Sequence, residues 1–242
     1  ELYRTQRRHN PAPYAAYLRC GDFSVLSSSP ERFLMVDTHG NAETKPIKGT
    51  CPRGANPQDD AAAAHWLRHD TKTRAENLMI VDLLRNDLST VSDPASVQVP
   101  VLMGVESYAT VHQLVSTVTA RLKPEISAVH ASAACFPGGS MTGAPKPSTM
   151  NIIEDLEARP RGVYSGAIGF FSADGGANLS IVIRTLVAHD NGLITLAAGG
   201  AIVADSDPNA EYEEMLTKLR AALPPSVGHI VEKGVSKQSV AA

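Results

Sequence analysis

A chain of 242 residues is long enough for one large domain or two small ones around a substantial core. Its 43% hydrophobic and 19% charged residues fit a globular protein, and a net charge of −3 without a Lys/Arg stripe argues against nucleic acid as a partner. No apolar run is long enough to span a bilayer, no signal-peptide layout opens the chain, and Cys20, Cys51 and Cys135 are too scattered for a disulfide framework or a zinc site. The expected compartment is the cytoplasm, or a plastid-like stroma.

Residues 1–10 are polar and basic and end at the break Asn10-Pro11-Ala12-Pro13. Residues 14–18, 23–27 and 33–36 read as short strands, and a further strand leads into Thr44–Thr50, TKPIKGT. Within that motif Pro46 fixes the backbone before Lys48, and Gly49 permits conformations or close approaches that a side chain forbids. Lys48 therefore sits on a constrained turn. An amine in such a place becomes a nucleophile only when burial or charge favours its neutral form, and an ordinary lysine at a strand end is the competing reading.

Asp59 and Asp60 start an alanine-rich helix running through residue 69. Residues 71–90 form the strongest helix pattern, capped by Asp70 or Thr71, with Leu78, Ile80, Val81, Leu84 and Leu88 on its apolar face. Glu76, Ile80, Leu83 and Asp87 share one stripe, so Glu76 stands beside apolar neighbours, although an exposed charge partner is an equal reading. Residues 97–102 and 108–122 read as strands, with His112, Leu114, Ser116 and Val118 on one face of the second; His112 is either a substrate contact or a satisfied core histidine.

Pro124 is expected to open a helix reaching Cys135. The loop Phe136-Pro137-Gly138-Gly139-Ser140-Met141-Thr142-Gly143-Ala144-Pro145-Lys146 then precedes a helix over residues 147–157, an arrangement that offers backbone N–H groups to an anion without matching the P-loop spacing. Residues 164–172, 179–188 and 193–204 read as a meander with an Asn191-Gly192 hairpin. Arg184 falls inside the middle strand, where an unpaired charge is costly and a carboxylate partner is required. Gly199 and Gly200 weaken the third strand, marking a bulge or a ligand approach. Asp205-Ser206-Asp207-Pro208 caps a last helix over residues 209–223, with Glu211, Glu213 and Glu214 in its first turns and Lys218 beyond. The domain reading is one unit over 1–226 and a polar tail over 227–242.

In order, PIKGT, AENLMIVDLLRNDL, FPGGSMTGAPK, YSGAIGF, SIVIRTL and GGAIVADSDPNAEYEE resemble the chorismate-utilising enzymes, over most of the chain. The resemblance implies an α+β fold of two antiparallel sheets packed as a sandwich with helices outside, here without its first helix and strand. It implies amination of chorismate, because PIKGT is the pattern of aminodeoxychorismate synthases and PIAGT that of anthranilate synthases; ammonia would come from a glutamine amidotransferase partner or fused domain. By position, Lys48 would be the nucleophile at C2 of chorismate and Glu31 the general acid/base. Glu76 and Glu214, with Glu211 assisting, would hold Mg²⁺. Arg184, Tyr164 and the backbone near Gly199 and Gly200 would bind the enolpyruvyl carboxylate, His112 and Ser140 would border the ring, and Lys218 would stand near the metal carboxylates. Two positions depart from the family pattern: Pro147-Ser148-Thr149-Met150 replaces V-R-A-M, and Ala201 replaces a third glycine. The alternatives are anthranilate synthase, a non-catalytic chorismate-binding or partner-binding fragment, and an unrelated metal-dependent hydrolase.

Overall fold

The computed structural model describes residues 1–204 and 206–223; the expected 227–242 tail and Asp205 lie outside the described residues. In chain order the elements are α1 (Leu2–His9), β1 (Tyr14–Cys20), β2 (Phe23–Ser29), β3 (Arg32–Val36), β4 (Asn41–Lys45), β5 (Ile47–Pro52), α2 (Pro57–His69) and α3 (Thr71–Val91). There follow β6 (Gln98–Ser107), β7 (Val111–Arg121), α4 (Ala128–Cys135), α5 (Lys146–Glu157), β8 (Ala167–Phe171), β9 (Ala177–Ile181), β10 (Thr185–His189), β11 (Ile194–Leu196) and α6 (Pro208–Ala222). The fold is α+β with two antiparallel sheets, as read from the sequence. The described chain forms two compact units. One is formed by Glu1–Pro30, Arg161–Ile168 and the described residues from Val182 onward; the other by Glu31–Pro160 and Gly169–Ile181.

The first unit is built on a four-stranded sheet in the order β1-β2-β10-β11. β1 and β2 form a hairpin in full register from Tyr14 opposite Ser29 to Cys20 opposite Phe23, turned at Gly21 with a left-handed φ of +62°. Its core gathers Leu26, Leu186 and Leu223, with Leu2 and Tyr3 of α1 packed against them. The sequence reading has no α1, because its only apolar residues, Leu2 and Tyr3, are adjacent and show no helical period; its one buried side chain is Gln6. At the other end of the unit, the Asp207 side chain caps α6 by accepting from the Ala210 N–H at 2.8 Å.

The second unit is built on a seven-stranded sheet ordered β5-β7-β4-β3-β9-β8, with β6 paired to the other edge of β7. β7 is thus central, and both its faces are buried: Gln113, Val115 and Thr117 as well as His112, Leu114, Ser116 and Val118. Leu114 packs with Leu67 of α2, Cys51 and Met103, while Ser116 Oγ donates to Asn77 Oδ1 of α3. α2 is capped by Asn56, whose side chain accepts from the Gln58 and Asp59 N–H groups, and α3 by Asp70, which accepts from Thr73.

Three boundaries differ from the sequence reading for identifiable reasons. α4 begins at Ala128, because the Ser127 hydroxyl accepts from the His130 N–H, a capping bond that Pro124 cannot supply. Leu78 lies on the exposed side of α3, and Asn77 takes the buried place beside it. The expected strand over residues 179–188 is two strands in different sheets, β9 and β10, broken at Arg184 by a left-handed φ of +51°. Arg184 is therefore at a strand break and not inside a strand.

Asp60 ties the end of β5 to α2 and β7. Its carboxylate accepts from Arg53 Nε and Nη2 at 2.7 and 2.6 Å, from the Gly54 N–H at 2.8 Å and from His112 Nε2 at 2.9 Å. The Arg53 guanidinium, first among these donors, holds the Asp60 carboxyl well below the usual carboxylate range. A carboxylate depressed by folding adds stability above its ordinary pKa and loses it as pH falls through that value, so the contribution fades below about pH 4. Asp60→Asn should lower the denaturant midpoint at neutral pH and flatten its acid limb. Parallel wild-type and variant limbs between about pH 2 and 5 would show that Asp60 does not set acid stability.

Candidate active site

Six of the residues picked out from the sequence converge within the first unit. A Cβ added to Gly199 would stand 3.1 Å from the Tyr164 hydroxyl, and one added to Gly200 would stand 3.1 Å from Glu211 Oε2 and 3.9 Å from Lys218 Nζ. A side chain at either glycine would crowd these polar groups. Lys218 Nζ donates to the Gly199 carbonyl at 3.1 Å and pairs with Glu214 Oε1 at 2.6 Å, one helical turn away on α6. Glu211 is buried near the start of α6, and Ser206 Oγ donates to its Oε1 at 2.8 Å. Arg184 belongs to the same unit, at the start of β10.

Five others lie in the second unit. Lys48 is half-buried on β5, at a register shift between Ile47 and Thr50 opposite β7. Gly49 makes the bulge possible in two ways: its φ is +82°, and a Cβ there would come within 2.3 Å of Thr73 Cγ2. The bulge is therefore pressed against the first turn of α3, and Glu76 follows three residues after Thr73, with Lys72 Nζ 3.9 Å from its carboxylate. Glu31, only 7% exposed, lines a pocket with Phe33, Thr44, Gly138, Gly139 and Ser140. Here too the glycines answer to space: a Cβ on Gly138 would meet Ile181 at 2.6 Å, and one on Gly139 would meet Leu83 at 2.7 Å. His112 is 2% exposed, with Nε2 bonded to Asp60 and Nδ1 2.8 Å from Ser107 Oγ. Its ring nitrogens are thus partnered on two elements, Nε2 by Asp60 of α2 and Nδ1 by Ser107 of β6.

Among the described residues, no three His, Cys, Asp or Glu side chains converge as a protein-only metal cage requires. Glu76 on α3 in the second unit, and Glu211 and Glu214 on α6 in the first, carry hard carboxylate oxygens, the ligand type that Mg²⁺ takes.

The family model for chorismate binding enzymes matches residues 1–224. The chain belongs to the chorismate-binding enzymes. It is 59% identical over 216 residues to an aminodeoxychorismate synthase from Streptomyces griseus, a match covering 89% of the chain and 30% of that protein. It is 48% identical to aminodeoxychorismate synthase component 1 from Klebsiella aerogenes, over 92% of the chain and 49% of that protein. Among solved structures, anthranilate synthase component I from Streptococcus pneumoniae TIGR4 superposes with a TM-score of 0.82 at 39% identity, covering 91% of the chain and 48% of the neighbour. The chain thus spans about a third to a half of the length of these chorismate-binding relatives.

One pair in this chorismate-binding enzyme escaped the sequence reading. Lys146, read there as part of an anion cradle, instead places Nζ 2.7 Å from Asp87 Oδ2 and 3.2 Å from the Cys135 carbonyl. Asp87 was visible as a polar member of an otherwise apolar stripe, but nothing in a linear pattern joins it to a lysine 59 positions later. The pair fixes the end of the loop that carries Gly138, Gly139 and Ser140.

Proposed function

We propose that this chain is the catalytic part of an aminodeoxychorismate synthase. It converts chorismate to 4-amino-4-deoxychorismate for para-aminobenzoate and folate synthesis, with ammonia supplied by a glutamine amidotransferase subunit or domain. The observation that carries this reading is Lys48 in P-I-K-G-T, held half-buried on a glycine bulge where anthranilate synthases have alanine. The Lys48 amine adds to C2 of the ring as the 4-hydroxyl departs as water, with Glu31 supplying the proton. Ammonia then adds at C4, Glu31 takes up a proton, and Lys48 leaves. Arg184 anchors the enolpyruvyl carboxylate through the paired N–H geometry of its guanidinium, with Tyr164 and the backbone at Gly199 and Gly200 beside it. Ser140 borders the ring. Glu76 and Glu214, with Glu211, would hold Mg²⁺, which when bound neutralises the ring carboxylate. The three cysteines are free, as in a reducing compartment such as the cytoplasm.

The similarity to an anthranilate synthase structure supports a second reading, in which ammonia enters at C2 and pyruvate is lost. Incubation of the intact protein that carries this chain with chorismate, ammonium and Mg²⁺, with the product identified by mass, separates the two. The 4-amino product is expected, and its formation should stop on adding EDTA. Anthranilate as the main product would overturn the assignment, and undiminished turnover in EDTA would remove the metal from it.

A further inference from the structure

Arg184, the proposed anchor of the enolpyruvyl carboxylate, is one of four non-glycine residues with positive φ among the described residues. Left-handed backbone is disfavoured for any side chain with a Cβ, so such a residue persists only where its surroundings over-determine it. A glycine would relieve that strain but carry no guanidinium. What over-determines Arg184 is visible. The Thr185 hydroxyl donates to the Ile183 carbonyl at 2.8 Å, and the Ser28 N–H donates to the Arg184 carbonyl at 3.2 Å. The third restraint comes from a distant part of the sequence: Gln6 Nε2 donates to the same Arg184 carbonyl at 3.2 Å.

Gln6 is an unusual residue to find there. It is 1% exposed and is the only buried residue of α1, a helix whose core position would ordinarily be apolar. Among the described residues its buried Oε1 has no hydrogen-bond partner, a loss that a methionine or leucine would not incur. The side chain is thus poorly chosen for stability and well chosen for its one donor bond. We propose that Gln6 is a positioning residue for substrate binding: its buried amide holds the Arg184 carbonyl, and with it the left-handed backbone that aims the guanidinium at the substrate carboxylate. The inference rests on Arg184 being the carboxylate anchor.

The test is a double-mutant cycle in the intact protein that carries this chain, with chorismate, ammonium and Mg²⁺. Gln6→Met keeps the volume and removes the donor. It should raise KM for chorismate about fivefold to tenfold, the worth of one neutral hydrogen bond, while kcat stays within about twofold and the thermal midpoint does not fall. Arg184→Lys should raise KM on its own, and adding Gln6→Met to it should then cost little more, because Gln6 acts through Arg184. Fully additive effects, or a fall in kcat and thermal midpoint with KM unchanged, would make Gln6 a structural residue and overturn the inference. If Arg184→Lys alone leaves KM unchanged, the anchor reading falls and the inference falls with it. Should Gln6→Met fold poorly, Gln6→Leu removes the same donor with a smaller apolar side chain, and the same cycle decides.

Discussion

Lys146→Met is expected to destabilise the second unit by about 3–5 kcal/mol at neutral pH, and to cost much less in acid. Lys146 and Asp87 are both largely buried, with Nζ 2.7 Å from Oδ2. Desolvation by burial pushes the Asp87 carboxyl above its usual range, and the hydrogen bond and charge of Lys146 work against that rise. Removing the lysine leaves only the burial, so the carboxyl titrates higher still. The sign follows from proton linkage. With its folded pKa above the unfolded one, the folded state holds the extra proton, and stability falls as pH climbs from the ordinary carboxylate value through the raised one. Below about pH 4 Asp87 is neutral in both states, and the variant lacks little more than the bond to the Cys135 carbonyl. Denaturant unfolding at pH 4 and pH 7 gives the two deficits, and equal values would sink the account. The double variant Asp87→Asn/Lys146→Met should recover most of the loss at pH 7, since buried pairs cost far more to break than to replace. With that recovery, the pair is better understood through what it fixes, the loop carrying Gly138, Gly139 and Ser140 beside Glu31.

Local features of this fold were legible in the sequence where local chemistry decides them. Asp70 and Asp207 act as caps, and the β1–β2 hairpin and α3 fall within a few residues of their expected limits. The glycines answer to local space: a Cβ at Gly49 would clash with Thr73, and one at Gly199 or Gly200 would crowd Tyr164 or Glu211. What could not be read is whatever depends on pairing across long separations. The break at Arg184 has neither a proline nor a glycine to announce it, because the left-handed residue is held by Ser28 and Gln6 from far along the chain. α1 was invisible because its one buried side chain, Gln6, is polar and its apolar residues, Leu2 and Tyr3, are adjacent. Nothing in the linear pattern joins His112 to Asp60, 52 positions earlier. The pairing of Lys146 with Asp87 belongs to the same class.

Lys48→Ala is expected to lower formation of the 4-amino product by on the order of 10³-fold or more, as loss of a covalent nucleophile does. The change should leave the bulge intact, since the bulge depends on the positive φ of Gly49 and its close approach to Thr73, and not on the Lys48 side chain. The thermal midpoint should therefore stay near that of the unaltered protein, which separates loss of chemistry from loss of fold. The nucleophile role also has a direct signature. With chorismate and Mg²⁺ present but ammonia withheld, the Lys48 amine has formed its bond to C2 and released water, and no second amine is available to expel it. Intact-protein mass spectrometry should then find the chain heavier by chorismate less one water, and digestion should place the addition on the peptide containing Lys48. In Lys48→Ala that species should be absent. Restoring ammonium should give at most a trace of a 2-amino product, because the alanine recreates P-I-A-G-T and leaves C2 open to ammonia itself. Undiminished 4-amino product from Lys48→Ala would rule out the covalent route. So would an adduct that forms on the variant as readily as on the unaltered chain, and in either case the place of the chain among the chorismate-binding enzymes would stand.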